Sequence, residues 1–447
     1  MNYSPGSHAE NRQVLLKDGS GMPQLLRADE LDREAKLLLR ILSPFLGRPV
    51  SREQITLVRQ GFRFLAMMLG RRVPVASVVQ HRIEGSAGPI DFRIYTPKGP
   101  SDLKPGFLWC HGGGFVVGDL DSTDAICRSV ARAAKAVVVA VRYRLAPEHD
   151  LYAGREDFLA ALNWIAEHGP SVGIDTTRLA IGGDSAGGNI AAAVAQETRR
   201  HGGPTLLSQV LVYPATNLIA EFPSKVENAR GYLLTADFID SLTPLIVHDR
   251  DLRDPWLSPA FCSDLRELPP ALIVTAGFDP IRDDGLNYAA KLRAAGVPVE
   301  LLHYSGQFHG FLNFDSLIGA ARDALARIGD SLALAYRGDK PADCTIEISD
   351  QTAASGAPVY KVAGEVLAAT FMATRTVRQL SATTVRLLAP NTATTLGFLL
   401  SPWWVPLAFG RRAVIAYLDL LAATQTYPQR GASRIVHARS DCHDLIC

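Results

Sequence analysis

The chain has 447 residues, 47% of them hydrophobic, and carries 46 basic against 45 acidic side chains for a formal net charge of +1 at pH 7. Such a length and apolar content allow one large domain with extensions and a sizeable core. The near balance of interspersed charges excludes a surface built for nucleic acid or for strongly anionic partners.

The six cysteines show neither zinc-finger nor Cys-x-x-Cys spacing, which implies a reduced, cytoplasmic setting. The first residues, Met1 to Gly6, are polar and lack the apolar core of a secretory signal. No unbroken apolar run reaches the ~18 residues of a membrane span, so none is expected. There is no His-Glu-x-x-His pattern, Walker sequence or dinucleotide fingerprint, so no metal and no cofactor is expected.

In chain order, residues 1–30 are polar and read as a loosely held arm. Within 31–75, apolar residues recur at helical spacing over 31–46 (Leu37, Leu38, Leu39, Ile41, Leu42) and over 51–69 (Ile55, Leu57, Val58, Phe62, Leu65, Met68). These two helices precede the first strand, where they serve either as a cap over a site or as closure of one edge of the core. The pattern then changes to alternation and short apolar runs. Residues 79–83 and 90–95 read as a hairpin of edge strands, and 106–110, 136–141, 179–181, 209–213, 271–275 and 299–304 as buried strands. Helical stretches over 122–135, 154–167, 189–199 and 285–295 lie between the later ones. Alternating strand and helix implies a mostly parallel sheet flanked by helices, with ligands beyond the carboxyl ends of the strands.

Polar groups cluster at those ends. His111-Gly112-Gly113-Gly114-Phe115 follows one strand, and Gly183-Asp184-Ser185-Ala186-Gly187-Gly188-Asn189 follows another. The second run is a Gly-x-Ser-x-Gly elbow, in which glycines permit a sharp strand-to-helix turn that displays the serine. Gly277 to Gly285, with Asp279, Asp283 and Asp284, follows a third strand, and Gln307-Phe308-His309-Gly310-Phe311 a fourth. Nucleophile, acid and imidazole thus occur in the order Ser, Asp, His. Ser185 and His309 fit the roles of nucleophile and base, because an imidazole accepts the hydroxyl proton as the bond to carbon forms. From the residues alone, any of the three aspartates could orient that imidazole.

Across about residues 31–335 these motifs, with Tyr143-Arg144-Leu145-Ala146-Pro147-Glu148-His149, resemble the hormone-sensitive-lipase-like family of α/β-hydrolase carboxylesterases. The resemblance implies an α/β-hydrolase catalytic domain over 76–338. It implies a helical cap from the 31–75 helices and an insertion at about 217–256, and a small-molecule ester of short to medium acyl length as substrate. It assigns Asp279 as the third triad member and Gly113, Gly114 and Ala186 as oxyanion-hole donors. The family usually has Glu where this chain has Asp284, which is read as structural support together with His111, Asp184 and Glu148. Phe115 is a wall of the acyl pocket or an ordinary core aromatic. Plant gibberellin receptors resemble the same branch without the catalytic histidine, so a non-catalytic binding protein is the alternative, which His309 argues against. Thioesters, lactones and amides share the tetrahedral intermediate and stay open as substrates.

Beyond 338 the hydrolase pattern is complete. Residues 339–358 are small and polar and read as a linker, 359–430 as a separate C-terminal helical extension, and 431–447 as a tail. The extension docks on the hydrolase, pairs with a second copy as a homo-oligomer, or rests on a lipid or polymer surface, for which Trp403, Trp404, Arg411 and Arg412 are suited.

Overall fold

A computed structural model describes residues 27–43, 46–85, 87–100, 102–247, 250–349 and 433–438. The helical extension expected over 359–430, most of the N-terminal arm and most of the tail lie outside the described residues. The elements run, in order, α1 (Arg33–Leu42), α2 (Ile55–Leu69), β1 (Ser77–Gly85), β2 (Gly88–Thr96), β3 (Lys104–Cys110), α3 (Asp124–Ala134) and β4 (Val137–Arg142). Then come α4 (Leu151–His168), β5 (Ile174–Asp184), α5 (Ala186–Arg200), β6 (Leu206–Val212), α6 (Pro223–Glu227) and α7 (Ala236–Ile246). The chain closes with β7 (Ala271–Phe278), α8 (Arg282–Ala294), β8 (Val299–Phe308), α9 (Gly319–Arg337), β9 (Cys344–Ile348) and β10 (Ser433–Ala438).

The strands form one ten-stranded sheet in the order β1-β2-β4-β3-β5-β6-β7-β8-β9-β10. The β1–β2 hairpin, the β2–β4 pair and the β9–β10 pair are antiparallel, and from β4 to β9 the strands run parallel. Side chains alternate across the central strands as the pleat requires. Phe107, Trp109, Val138 and Ala140 pack with α1, α3 and α9 on one face, and Leu108, Cys110, Val139 and Val141 with α4, α5 and α8 on the other. A further cluster of Val50, Ile55, Val116, Val117, Ala146, Leu242 and Leu245 lies apart from both and joins α2 and α7 to the loop after β3.

Two sequence expectations need correction. Residues 344–348, read as linker, are a strand paired in parallel with β8, and 433–438, read as tail, form the strand beside it. Cys344, Ile346 and Ile348 are buried and alternate with polar Thr345 and Glu347. Cys344 is also disulfide-bonded, which departs from the fully reduced state expected from cysteine spacing. Among the described residues no helix is long and apolar enough to cross a membrane, and no group of His, Cys, Asp and Glu could hold a metal ion.

Candidate active site

The chain leaves β3 toward β4 on one side and enters β5 on the other, so the crevice between the ends of β3 and β5 is a topological switch point. Cys110 is in register with Gly183 there, which puts the His111–Phe115 loop directly beside the Ser185 elbow. Ser185 occupies the N-cap of α5 at φ 57° and ψ −119°, a positive-φ conformation that non-glycine residues rarely adopt, and its hydroxyl makes no capping bond. The turn requires Gly187, where a Cβ would meet the Cys110 carbonyl oxygen at 2.0 Å.

The hydroxyl faces His309 instead, with Ser185 Oγ 2.9 Å from His309 Nε2. His309 Nδ1 lies 2.8 Å from Oδ2 of the fully buried Asp279. Because a carboxylate only accepts, Nδ1 carries the imidazole proton and Nε2 is left to accept from the serine. Asp279 Oδ1 accepts from the Ile281 amide at 2.8 Å, so both carboxyl oxygens are held.

The loop after β3 turns through Gly113 at φ 126°, whose carbonyl accepts from the Val116 and Val117 amides at 3.1 and 2.9 Å. Among the described residues no hydrogen bond uses the Gly113 or Gly114 amide as donor. Asp184 Oδ1 accepts from the Gly112 amide at 2.9 Å, tying this loop to the elbow. Burial raises the Asp184 carboxyl to about 6, with the Gly112 bond and nearby His309 opposing the shift.

A family model described as the α/β-hydrolase fold matches residues 107–313. Esterase LipI of Mycobacterium tuberculosis is 43% identical over 304 residues, 67% of this chain and 94% of its own length. The chain belongs to the α/β-hydrolase carboxylesterase family. Carboxylesterase NlhH of the same organism is 43% identical over 255 residues, 56% of this esterase and 80% of that one. Among solved structures, an ester hydrolase from the Lake Arreo metagenome matches with TM-score 0.65 and 35% identity, covering 69% of this chain and 99% of that one. A hyperthermophilic esterase of Pyrobaculum calidifontis matches with TM-score 0.64 and 37% identity, covering 68% and 98%.

The His111 ring stacks on Tyr143 with centroids 4.4 Å apart and its Nδ1 donates to the Gly112 carbonyl at 2.9 Å. Its burial pulls the imidazole down to about 4, so it is neutral and cannot serve as a charged group near pH 7. Glu148 holds Arg59 of α2 through two contacts of 2.8 Å, while Arg59 also donates to the Val116 and Ala146 carbonyls at 2.7 and 2.9 Å. Asp284 is buried and accepts from the Asn217 amide at 2.9 Å, and Asp283 is taken by Arg282 and the Ser224 amide. Neither of these two contacts His309, so of the three aspartates Asp279 is the one joined to it.

Phe115, read as a wall of the acyl pocket or an ordinary core aromatic, is only 5% exposed and packs into the core cluster of α4 and α5. Residues that the motifs do not mark lie close to the site loops. Leu242 of α7 lies over Gly114, where a Cβ would meet its Cδ1 at 2.4 Å, and Leu233 lies over Gly310. The Tyr213 ring packs 4.7 Å from the His309 ring. For Tyr213 the available signal was its place at the end of the fourth buried run, 209–213, and for Leu242 the helical spacing of the insertion.

Proposed function

We propose that ester hydrolysis in this carboxylesterase runs through an acyl-enzyme on Ser185. The observation that carries the reading is the unbroken chain from Ser185 Oγ through His309 to buried Asp279, with links of 2.9 and 2.8 Å, beside glycine amides without an internal partner. Ser185 Oγ attacks the ester carbonyl carbon while its proton passes to His309 Nε2. The carbonyl oxygen becomes an oxyanion facing the amides of Gly113, Gly114 and Ala186, the last at the positive end of α5. Asp279 stabilises the imidazolium formed. Collapse expels the alcohol, which takes the proton from His309. Water then adds to the acyl carbon with His309 as base, and the second collapse releases the carboxylic acid and restores Ser185. This cycle requires no metal or cofactor.

In this reading α1, α2 and α7 form a cap, supported by the separate apolar cluster that fastens α2 and α7 to the oxyanion loop. Leu242 and Leu233 bound the space beside Gly114 and Gly310, which favours short to medium acyl chains. The test is hydrolysis of p-nitrophenyl esters from acetate to palmitate. Activity that peaks at or below about eight acyl carbons and vanishes in Ser185→Ala supports the proposal; equal turnover by Ser185→Ala removes it.

For the remaining chain, residues 359–430 serve in this proposal in docking or self-association. A cytoplasmic placement rests on the cysteine spacing, with the disulfide at Cys344 weighing against it. Alkylation of freshly extracted protein decides: a labelled Cys344 supports the cytoplasm, and a blocked one contradicts it.

A further inference from the structure

Arg155 of α4 is wholly buried, and all of its acceptors are neutral. Its Nε donates to the Trp256 carbonyl, and its terminal nitrogens donate to Leu151 O at 2.6 Å, Asn189 Oδ1 at 2.5 Å and Leu257 O at 3.2 Å. The guanidinium carbon also sits 5.1 Å from the centre of the Phe115 ring. Withdrawing a cation from water costs several kcal/mol even after relaxation. Burial pulls this guanidinium down to about 10, which still leaves it charged at neutral pH. A methionine would fill the same space without that penalty. It could not engage acceptors on separate segments.

One of those acceptors, Asn189, and the Phe115 ring lie on the two segments that carry the proposed oxyanion donors. Phe115 directly follows Gly113 and Gly114, stands at φ 63°, packs in the core cluster of α4 and α5, and its carbonyl accepts from the Ala146 amide at 2.9 Å. Asn189 lies in the first turn of α5, which begins with Ala186, and its amide donates to the Ser185 carbonyl at 3.0 Å. The Asn189 side chain donates onward to Ala215 O and Leu257 O at 2.6 and 2.8 Å. One guanidinium therefore bridges the turn bearing two donors and the helix start bearing the third.

We infer that Arg155 is a positioning residue of the oxyanion hole, holding the Phe115 turn against the first turn of α5 so that amides from both segments converge on one point. The inference rests on the ester-hydrolase reading. Displacing preorganised donors by a fraction of an ångström to 1 Å lowers rates by ~10- to 100-fold. In Arg155→Met, kcat/KM for p-nitrophenyl butyrate and affinity for a trifluoromethyl ketone, which forms a tetrahedral adduct with serine, should fall together by about that factor. KM should stay within about threefold and the pH profile should not move, since His309 and Asp279 are untouched. Arg155→Lys keeps the charge without the four-way reach and should fall between parent and Met variant. A purely structural role would lower thermal stability and leave the folded enzyme's ketone affinity unchanged. A folded Arg155→Met protein with rate and ketone affinity within twofold of the parent overturns the assignment. If that variant does not fold, Phe115→Leu, which removes the ring face and keeps an apolar side chain in the core, decides: paired losses of about tenfold in a folded protein support it and unchanged values overturn it. A parent enzyme that neither hydrolyses the ester nor binds the ketone fails differently, removing the ester reading and the Arg155 role with it.

Discussion

Replacing Asp279 with Asn tests which acid orients the imidazole. The carboxylate is wholly buried, with Oδ2 at His309 Nδ1 and Oδ1 at the Ile281 amide, so an isosteric amide has two placements. With its NH2 toward His309, it donates to Nδ1, the imidazole proton moves to Nε2, and the ring can no longer accept from Ser185. With its NH2 toward Ile281, two donors oppose each other in a buried site, which costs about 1–3 kcal/mol. The first placement avoids that clash and gives the wrong tautomer, a defect of about 10⁴ in kcat, or roughly 5 kcal/mol of barrier. Asp283→Asn and Asp284→Asn are the controls, because their carboxyl oxygens face Arg282, Ser224 and Asn217 rather than His309. Initial rates with p-nitrophenyl butyrate at pH 7.5 should drop by about 10⁴ for Asp279→Asn and by less than tenfold for the controls. A folded Asp279→Asn enzyme within tenfold of the parent, or an Asp283→Asn enzyme crippled to the same degree, refutes the reasoning.

Gly113→Ala places a Cβ at φ 126° and 2.2 Å from the Val117 carbonyl oxygen, so the donor turn must shift; kcat/KM should fall by ~10²- to 10³-fold, and a loss under tenfold contradicts this. Leu242→Ala removes the methyls over Gly114, and at ~0.8 kcal/mol per buried methylene the octanoate-to-butyrate ratio of kcat/KM should rise about tenfold; an unchanged ratio contradicts it. Burial raises Asp315 from its ordinary 3.8 to about 6. For an acid with a raised value, the favourable contribution is complete below pH 3.8 and is lost as pH rises through 6, a swing of at most about 3 kcal/mol. Asp315→Asn should therefore gain more in Tm over the parent at pH 8 than at pH 5, by a few degrees, and an equal difference at both pH values contradicts the linkage.

The parallel sheet and the site loops were legible because each carries a local signature: short apolar runs for the strands, glycines and chemistry-bearing residues just beyond them. From the residues alone the acid was not, because three aspartates fall in one loop and their directions depend on where β7 ends and α8 begins; the family resemblance singled out Asp279. Asp279 falls just after Phe278 and before Arg282, whereas Asp283 and Asp284 lie in the first helical turn. Arg155 and Arg59 were invisible since their partners are far away in sequence; Arg59 meets Glu148 across 89 positions and Arg155 meets Trp256 across 101. For β9 the alternation of Cys344, Ile346 and Ile348 was present, but the small polar residues around it favoured a linker.

The central claim is that Ser185 is the activated nucleophile of this carboxylesterase. Labelling the native enzyme with a fluorophosphonate and mapping the adduct by peptide mass spectrometry tests it most directly. One stoichiometric adduct on Ser185, lost in His309→Ala, is the expected result. Unmodified Ser185, or an adduct on another residue, would contradict the account.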